Sequence, residues 1–211
     1  MTADDPSLGA QPLVTNQREN WTDPKTSSYA QALTAWNRGN ADATLGVLEV
    51  LPTSLQTSES LLLCARALIR KDRLTDAREW LTRSVSSHRT PDNHATQLML
   101  QGVIEGRERN SSGAEALFAR ALELKAHHRL RAEINYERAV VQFIDQRHDD
   151  ARSTLRTIRP YSDIVSVRAI ELEGRIDAVA GDYRSAHAAF GTALTEIDKC
   201  EAIDMLGSFE F

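Results

Sequence analysis

The chain has 211 residues, with 41% hydrophobic and 26% charged side chains and a net charge of −5. This composition is that of an ordinary globular protein, and the negative charge argues against a general nucleic-acid binder. No stretch approaches 18 consecutive apolar residues, so no transmembrane helix is expected. The start lacks the cationic and apolar segments of a secretory signal, and we therefore expect a cytoplasmic protein.

Residues 1–27 contain three of the six prolines and show no helical periodicity. We expect a flexible N-terminal arm here, with Trp21 as its one plausible anchor. From residue 28 to residue 198 the sequence predicts helices joined by short turns. The remaining prolines, at positions 52, 91 and 160, fall between the helical segments, where proline is tolerated.

Five segments of this region align without internal gaps. Each has a small residue in a first helix, a second small residue twelve positions later, and a bulky apolar residue four positions after that. The three sets of aligned residues are Ala32, Ala65, Gly102, Ala139 and Gly174; Thr44, Ala77, Ala114, Ala151 and Ala186; and Leu48, Leu81, Phe118, Leu155 and Phe190.

The second set recurs at spacings of 33, 37, 37 and 35 residues. Small residues allow two helices to cross closely, and the bulky residue four positions on lies on the same helical face. The five hairpin bends are predicted near Gly39, Asp72, Arg109, Arg147 and Gly181. A capping box of Ser112 with Glu115 is predicted at the start of one second helix.

The segment from Gly181 to Phe190, and the segment from Ala114 to Ala121, resemble the turn and second helix of a tetratricopeptide repeat. The resemblance covers residues 28–198. It implies an all-α fold, a right-handed superhelical α-solenoid of about five helix-turn-helix repeats. Residues 199–211 would begin a further helix that is truncated. Either the chain is a fragment of a longer protein, or its apolar C-terminal end supports a homo-oligomer.

No phosphate-binding loop, nucleophile motif or metal-ligand spacing occurs, so the sequence predicts neither an enzyme nor a cofactor. The adjacent His127 and His128 would point about 100° apart on a helix and cannot share a metal. Cys64, within an apolar run, is predicted to be a small buried hydrophobe.

The resemblance implies a protein or peptide partner held in a concave groove lined by the first helices. Projecting the family geometry gives these groove residues: Leu62, Arg66, Arg70, Met99, Val103, Arg107, Tyr136, Val140, Phe143 and Arg175, with Glu133, Glu137 and Glu171 beside them. The arginines suit a partner with acidic side chains.

Two questions stay open from the sequence alone. Arg66, Arg70 and Arg107 either face the groove free, or pair internally with Glu59, Glu105 or Glu133. The chain is either an interaction scaffold or, alternatively, the N-terminal sensor region of a larger bacterial helix-turn-helix transcription regulator.

Overall fold

The computed structural model describes residues 24–84, 90–158 and 164–197. Within these ranges the chain forms ten α-helices, one short 3-10 turn at Thr53–Leu55, and no strand. The α-helices are α1 Pro24–Asn37, α2 Ala41–Leu48, α3 Ser58–Arg70, α4 Leu74–Ser84, α5 Pro91–Arg107, α6 Ser111–Glu123, α7 His128–Ile144, α8 His148–Leu155, α9 Ile164–Val179 and α10 Tyr183–Ile197.

The ten helices form five hairpins, and residues with positive φ terminate the first helix of each. Gly39 and Gly181 have φ values of 72° and 82°. Asp72, Arg109 and Gln146 take the same left-handed conformation, with φ values from 58° to 66°. Each of these residues lies in or directly beside a predicted bend, so the predicted positions of the hairpins are confirmed.

Side-chain caps fix where several helices begin. The Thr90 hydroxyl accepts from the Asn93 amide at 3.1 Å, and Pro91 occupies the first turn of α5. The predicted capping box of Ser112 with Glu115 is wrong. Asn110 caps α6 instead, because its side-chain oxygen reaches the Gly113 amide at 3.1 Å.

The aligned small residues lie where the two helices of a hairpin cross. Ala32, Ala65 and Ala139 are fully buried. A Cβ atom on Gly102 would come within 2.9 Å of Cε1 of Phe118, and one on Gly174 within 2.8 Å of Cε1 of Phe190. The close contact of each glycine with a phenyl ring confirms the predicted role of the glycines in packing.

The five hairpins stack side by side as an α-solenoid, as the sequence predicts. The first helices α1, α3, α5, α7 and α9 contact one another in order, and the second helices pack between the first helices of their own and the next hairpin. The first helices therefore lie side by side along one face of the solenoid and the second helices along the other. The tetratricopeptide resemblance predicts that the first-helix face is the concave one, and we call it the concave face.

The ends of the solenoid differ in part from the sequence-based boundaries. Helix α1 begins at Pro24, so residues 24–27 belong to the first hairpin and not to the predicted arm. The rest of the arm, with Trp21, and the predicted further helix at 199–211 lie outside the described residues, as does Pro160.

Candidate functional site

The concave face carries most, but not all, of the ten predicted groove residues. Leu62 and Met99 were predicted wrongly, because they are only 5% and 1% exposed and pack into the core between helices. Tyr136 is also buried, at 7%. Phe143 turns toward α8, where its ring lies 5.5 Å from the His148 ring. The remaining six are at least partly exposed: Arg66, Arg70, Val103, Arg107, Val140 and Arg175.

Arg66 makes an ion pair that spans two hairpins. Its Nη1 lies 2.7 Å from Oε1 of Glu133 and its Nη2 lies 3.1 Å from Oε2, so α3 is tied to α7 across the concave face. Burial raises the pKa of Glu133, but the Arg66 guanidinium outweighs that effect and holds this pKa below its ordinary value. Internal pairing, one of the two alternatives, is therefore found for Arg66.

The other two arginines of the predicted basic strip also have partners within the chain. Arg107 Nη1 donates to the Ile69 carbonyl at 2.8 Å and lies 3.2 Å from Oδ1 of Asp72. Arg70 lies over the Trp36 ring, 5.6 Å from its centroid. The concave face is therefore a network of paired charges and not a free basic strip.

Sequence reasoning missed Arg168, which joins this network from α9. Its guanidinium lies 4.2 Å from the centroid of the Tyr136 ring and covers it. The same guanidinium lies 3.4 Å from Oε1 of Glu137. Burial raises the pKa of Glu137, because this single long contact does not offset the lost hydration.

Glu137 occupies a position that three of the other four hairpins give to a buried leucine, whereas the first hairpin has an exposed alanine, Ala30, there. The equivalent residues are Leu63, Leu100 and Leu172, all buried. A carboxylate buried at this position lowers the free energy of unfolding. Helix α7 therefore differs from the neighbouring first helices, which have a buried leucine there. Comparison of these aligned positions in the sequence could have identified Glu137 as exceptional.

Apolar side chains lie on the same face beside the charges. Val103 on α5 and Val140 on α7 hold equivalent positions and are both partly exposed. Ile144 and Val179 hold the position that Arg70 and Arg107 hold in earlier hairpins, and they are 41% and 60% exposed. At this one position the face therefore changes from arginine in the second and third hairpins to an exposed apolar residue in the fourth and fifth.

Cys64 and His127 have structural roles in packing and in helix capping. Cys64 is fully buried, and burial raises the pKa of its thiol to about 12, so the reactive thiolate does not form near neutral pH. His127 caps α7, because its Nδ1 accepts from the Leu130 amide at 2.9 Å. Among residues 24–84, 90–158 and 164–197 no cluster of potential metal ligands occurs.

Comparison with known proteins agrees with this architecture. The family model described as tetratricopeptide repeat matches residues 99–163. No curated protein matches the chain. Across the described ranges, no helix has the length and apolarity needed to span a membrane.

Three solved structures illustrate the likeness in fold. A tetratricopeptide-repeat protein of Thermus thermophilus, TTC0263, is 19% identical, with a TM-score of 0.65 over 83% of this chain and 92% of that chain. PilF of Pseudomonas aeruginosa is 14% identical, with a TM-score of 0.52 over 86% and 79%. A structure of MamA is 20% identical, with a TM-score of 0.50 over 85% and 97%.

Proposed function

We propose that this chain, which folds as a tetratricopeptide-repeat solenoid, is a non-catalytic protein-interaction scaffold. Its concave face binds a segment of a partner protein. The observation that carries the proposal is the exposure of apolar side chains at equivalent positions of neighbouring first helices, beside charges that are only partly buried.

Val103 and Val140 supply the apolar part of this surface. Packed helices lie about 8–10 Å apart, and an extended chain rises about 3.3 Å per residue. Every third residue of an extended partner segment therefore meets the next helix. Ile144 and Val179 continue the apolar surface toward the C-terminal end, and their exposure supports hydrophobic contact with a partner.

The charged side chains of the concave face orient the partner segment. Arg107 holds Asp72 through one contact of 3.2 Å, and Asp72 is 79% exposed, so a carboxylate of the partner can replace it at little cost. Arg175, 46% exposed and 3.1 Å from Glu171, has the same freedom. Arg66 is less available, because its two-point contact with Glu133 is mostly sheltered. We therefore assign recognition of acidic side chains to Arg107 and Arg175.

A peptide selection tests the proposal. The full chain selects binders from a random peptide library displayed on phage, and the affinities of the selected peptides are measured in solution. We expect the double substitution Val103→Glu with Val140→Glu to weaken them by about tenfold or more, which is about 1.4 kcal/mol. The matched control Arg120→Glu changes a charge on the exposed outer side of α6 and leaves binding unchanged.

Two results would count against the proposal. Failure to recover any specific peptide argues against a segment-binding scaffold. If the selected peptides bind the double variant Val103→Glu with Val140→Glu as tightly as they bind the parent, the binding surface lies elsewhere.

A further inference from the structure

A second candidate site involves two of the second helices and one first helix. A cleft of about 510 Å³ opens between α6, α7 and α8. Its lining carries two arginines and two carboxylates, Arg138, Arg147, Glu115 and Asp150, with Arg147 Nη1 lying 3.4 Å from Oδ2 of Asp150. The uncharged polar residues of the lining that bear on a ligand are Asn135, Gln142, Ser153 and Thr154.

At two positions in the cleft this hairpin has a polar residue where at least three of the other hairpins have an apolar one; the first hairpin has Ser28 at the position of Asn135. Asn135 is equivalent to Leu61, Leu98 and Ile170. Thr154 is equivalent to three side chains that pack against the hydrophobic core: Val47, Trp80 and Leu117. Replacing such packing by polar groups lowers stability, and departures of this kind are expected at functional sites.

Some of the polar groups in the cleft already have hydrogen-bond partners within the chain. The Glu115 carboxylate accepts from Arg138 Nε at 2.6 Å, Gln142 Nε2 at 2.8 Å and Arg147 Nη2 at 2.9 Å. Although burial raises the pKa of Glu115, these three donors lower it below its ordinary value. The Thr154 hydroxyl donates to Gln142 Oε1 at 2.8 Å.

Other polar groups in the cleft make no hydrogen bond to the described residues. Among the described residues, the two terminal nitrogens of Arg138 have no hydrogen-bond partner, and neither do the Asn135 amide and the Ser153 hydroxyl. All of these groups can donate hydrogen bonds. A guanidinium with its outer edge free is suited to two-point contact with a carboxylate or a phosphate.

We propose that this cleft binds a small hydroxylated organic anion, whose carboxylate or phosphate group lies against the outer edge of Arg138. Glu115 is a positioning residue, because its contact with Arg138 Nε fixes the guanidinium plane and leaves that edge free. Asn135 and Ser153 donate to the anion or to its hydroxyl groups. The inference is independent of the partner proposed for the concave face.

The test uses the full chain and two probes, tartrate for the carboxylate and glycerol 3-phosphate for the phosphate. Thermal unfolding is followed at constant ionic strength, with chloride as the reference anion. A ligand that binds only the native state raises the melting temperature. We expect at least one probe to do so, and its identity distinguishes a carboxylate site from a phosphate site.

Three variants locate the effect. Arg138→Gln removes the guanidinium edge and abolishes the shift caused by the anion. Asn135→Leu introduces the apolar residue type that the second, third and fifth hairpins have at this position, so it raises the melting temperature without ligand and also abolishes the shift. Arg120→Gln, a matched arginine on the outer side of α6, retains the shift in full. The proposal is overturned if neither probe shifts the parent protein, or if the shift survives in Arg138→Gln or in Asn135→Leu.

Discussion

Replacing Gly102 by alanine places a methyl group against the ring of Phe118. The new Cβ would lie 2.9 Å from Cε1 and 3.1 Å from Cζ, and Phe118 has no exposed surface, so its ring has no free space to move into. Overpacking of this kind costs about 1–3 kcal/mol. The better helix propensity of alanine offsets about 1 kcal/mol of this cost.

Gly191 is the matched control, because it lies inside α10 and a Cβ atom added there would have no atom of the described residues within 4 Å. Gly191→Ala therefore gains up to about 1 kcal/mol from helix propensity alone. We expect Gly102→Ala to be neutral or destabilised by up to about 2 kcal/mol, which leaves the two variants roughly 1–3 kcal/mol apart. Urea unfolding of the two variants and the parent measures the difference. Equal stabilisation by both alanines would refute the close crossing of α5 and α6.

The remaining predictions concern the charged residues. Glu137→Leu raises stability at neutral pH, because it removes a carboxylate whose pKa burial has raised; urea unfolding that shows a loss instead would contradict this. Arg66→Ala destabilises by about 1–3 kcal/mol, since Glu133 is left sheltered without its partner, whereas Arg66→Met with Glu133→Leu is nearly neutral. Glu115 has a lowered pKa, so its contribution is present above its unfolded pKa of about 4.3 and is lost as the pH falls through its folded value. Acid unfolding of Glu115→Gln is therefore less steep than that of the parent, and identical pH profiles would contradict the pairing.

Much of the fold could be predicted from the sequence because close helix crossings demand small residues. Gly102 and Ala139 mark two of those crossings in the sequence. Gly39 and Gly181 mark two of the bends, where the backbone takes a positive φ that favours glycine. The start of α6 could not be predicted as well. Asn110 and Ser112 are both good capping residues, and only the geometry of the turn selects Asn110.

The site was harder to predict, because residue spacing shows on which face of a helix a residue lies but not whether neighbouring helices bury its side chain. Leu62 and Met99 have the correct spacing for the concave face, yet neighbouring helices cover them. Nor does spacing show which opposite charges meet. The pair of Arg66 with Glu133 joins α3 to α7 across an intervening helix, and no local pattern encodes a contact between residues 67 positions apart.

Site-specific crosslinking tests whether a partner segment binds on the concave face. A photoreactive amino acid is placed at Val140, on the concave face, or at Arg120, on the outer side of α6, and each protein is irradiated with a peptide obtained by the phage selection. If the concave face binds the peptide, we expect a crosslinked peptide from position 140 and none from position 120. Crosslinking from position 120 with none from position 140 would contradict it.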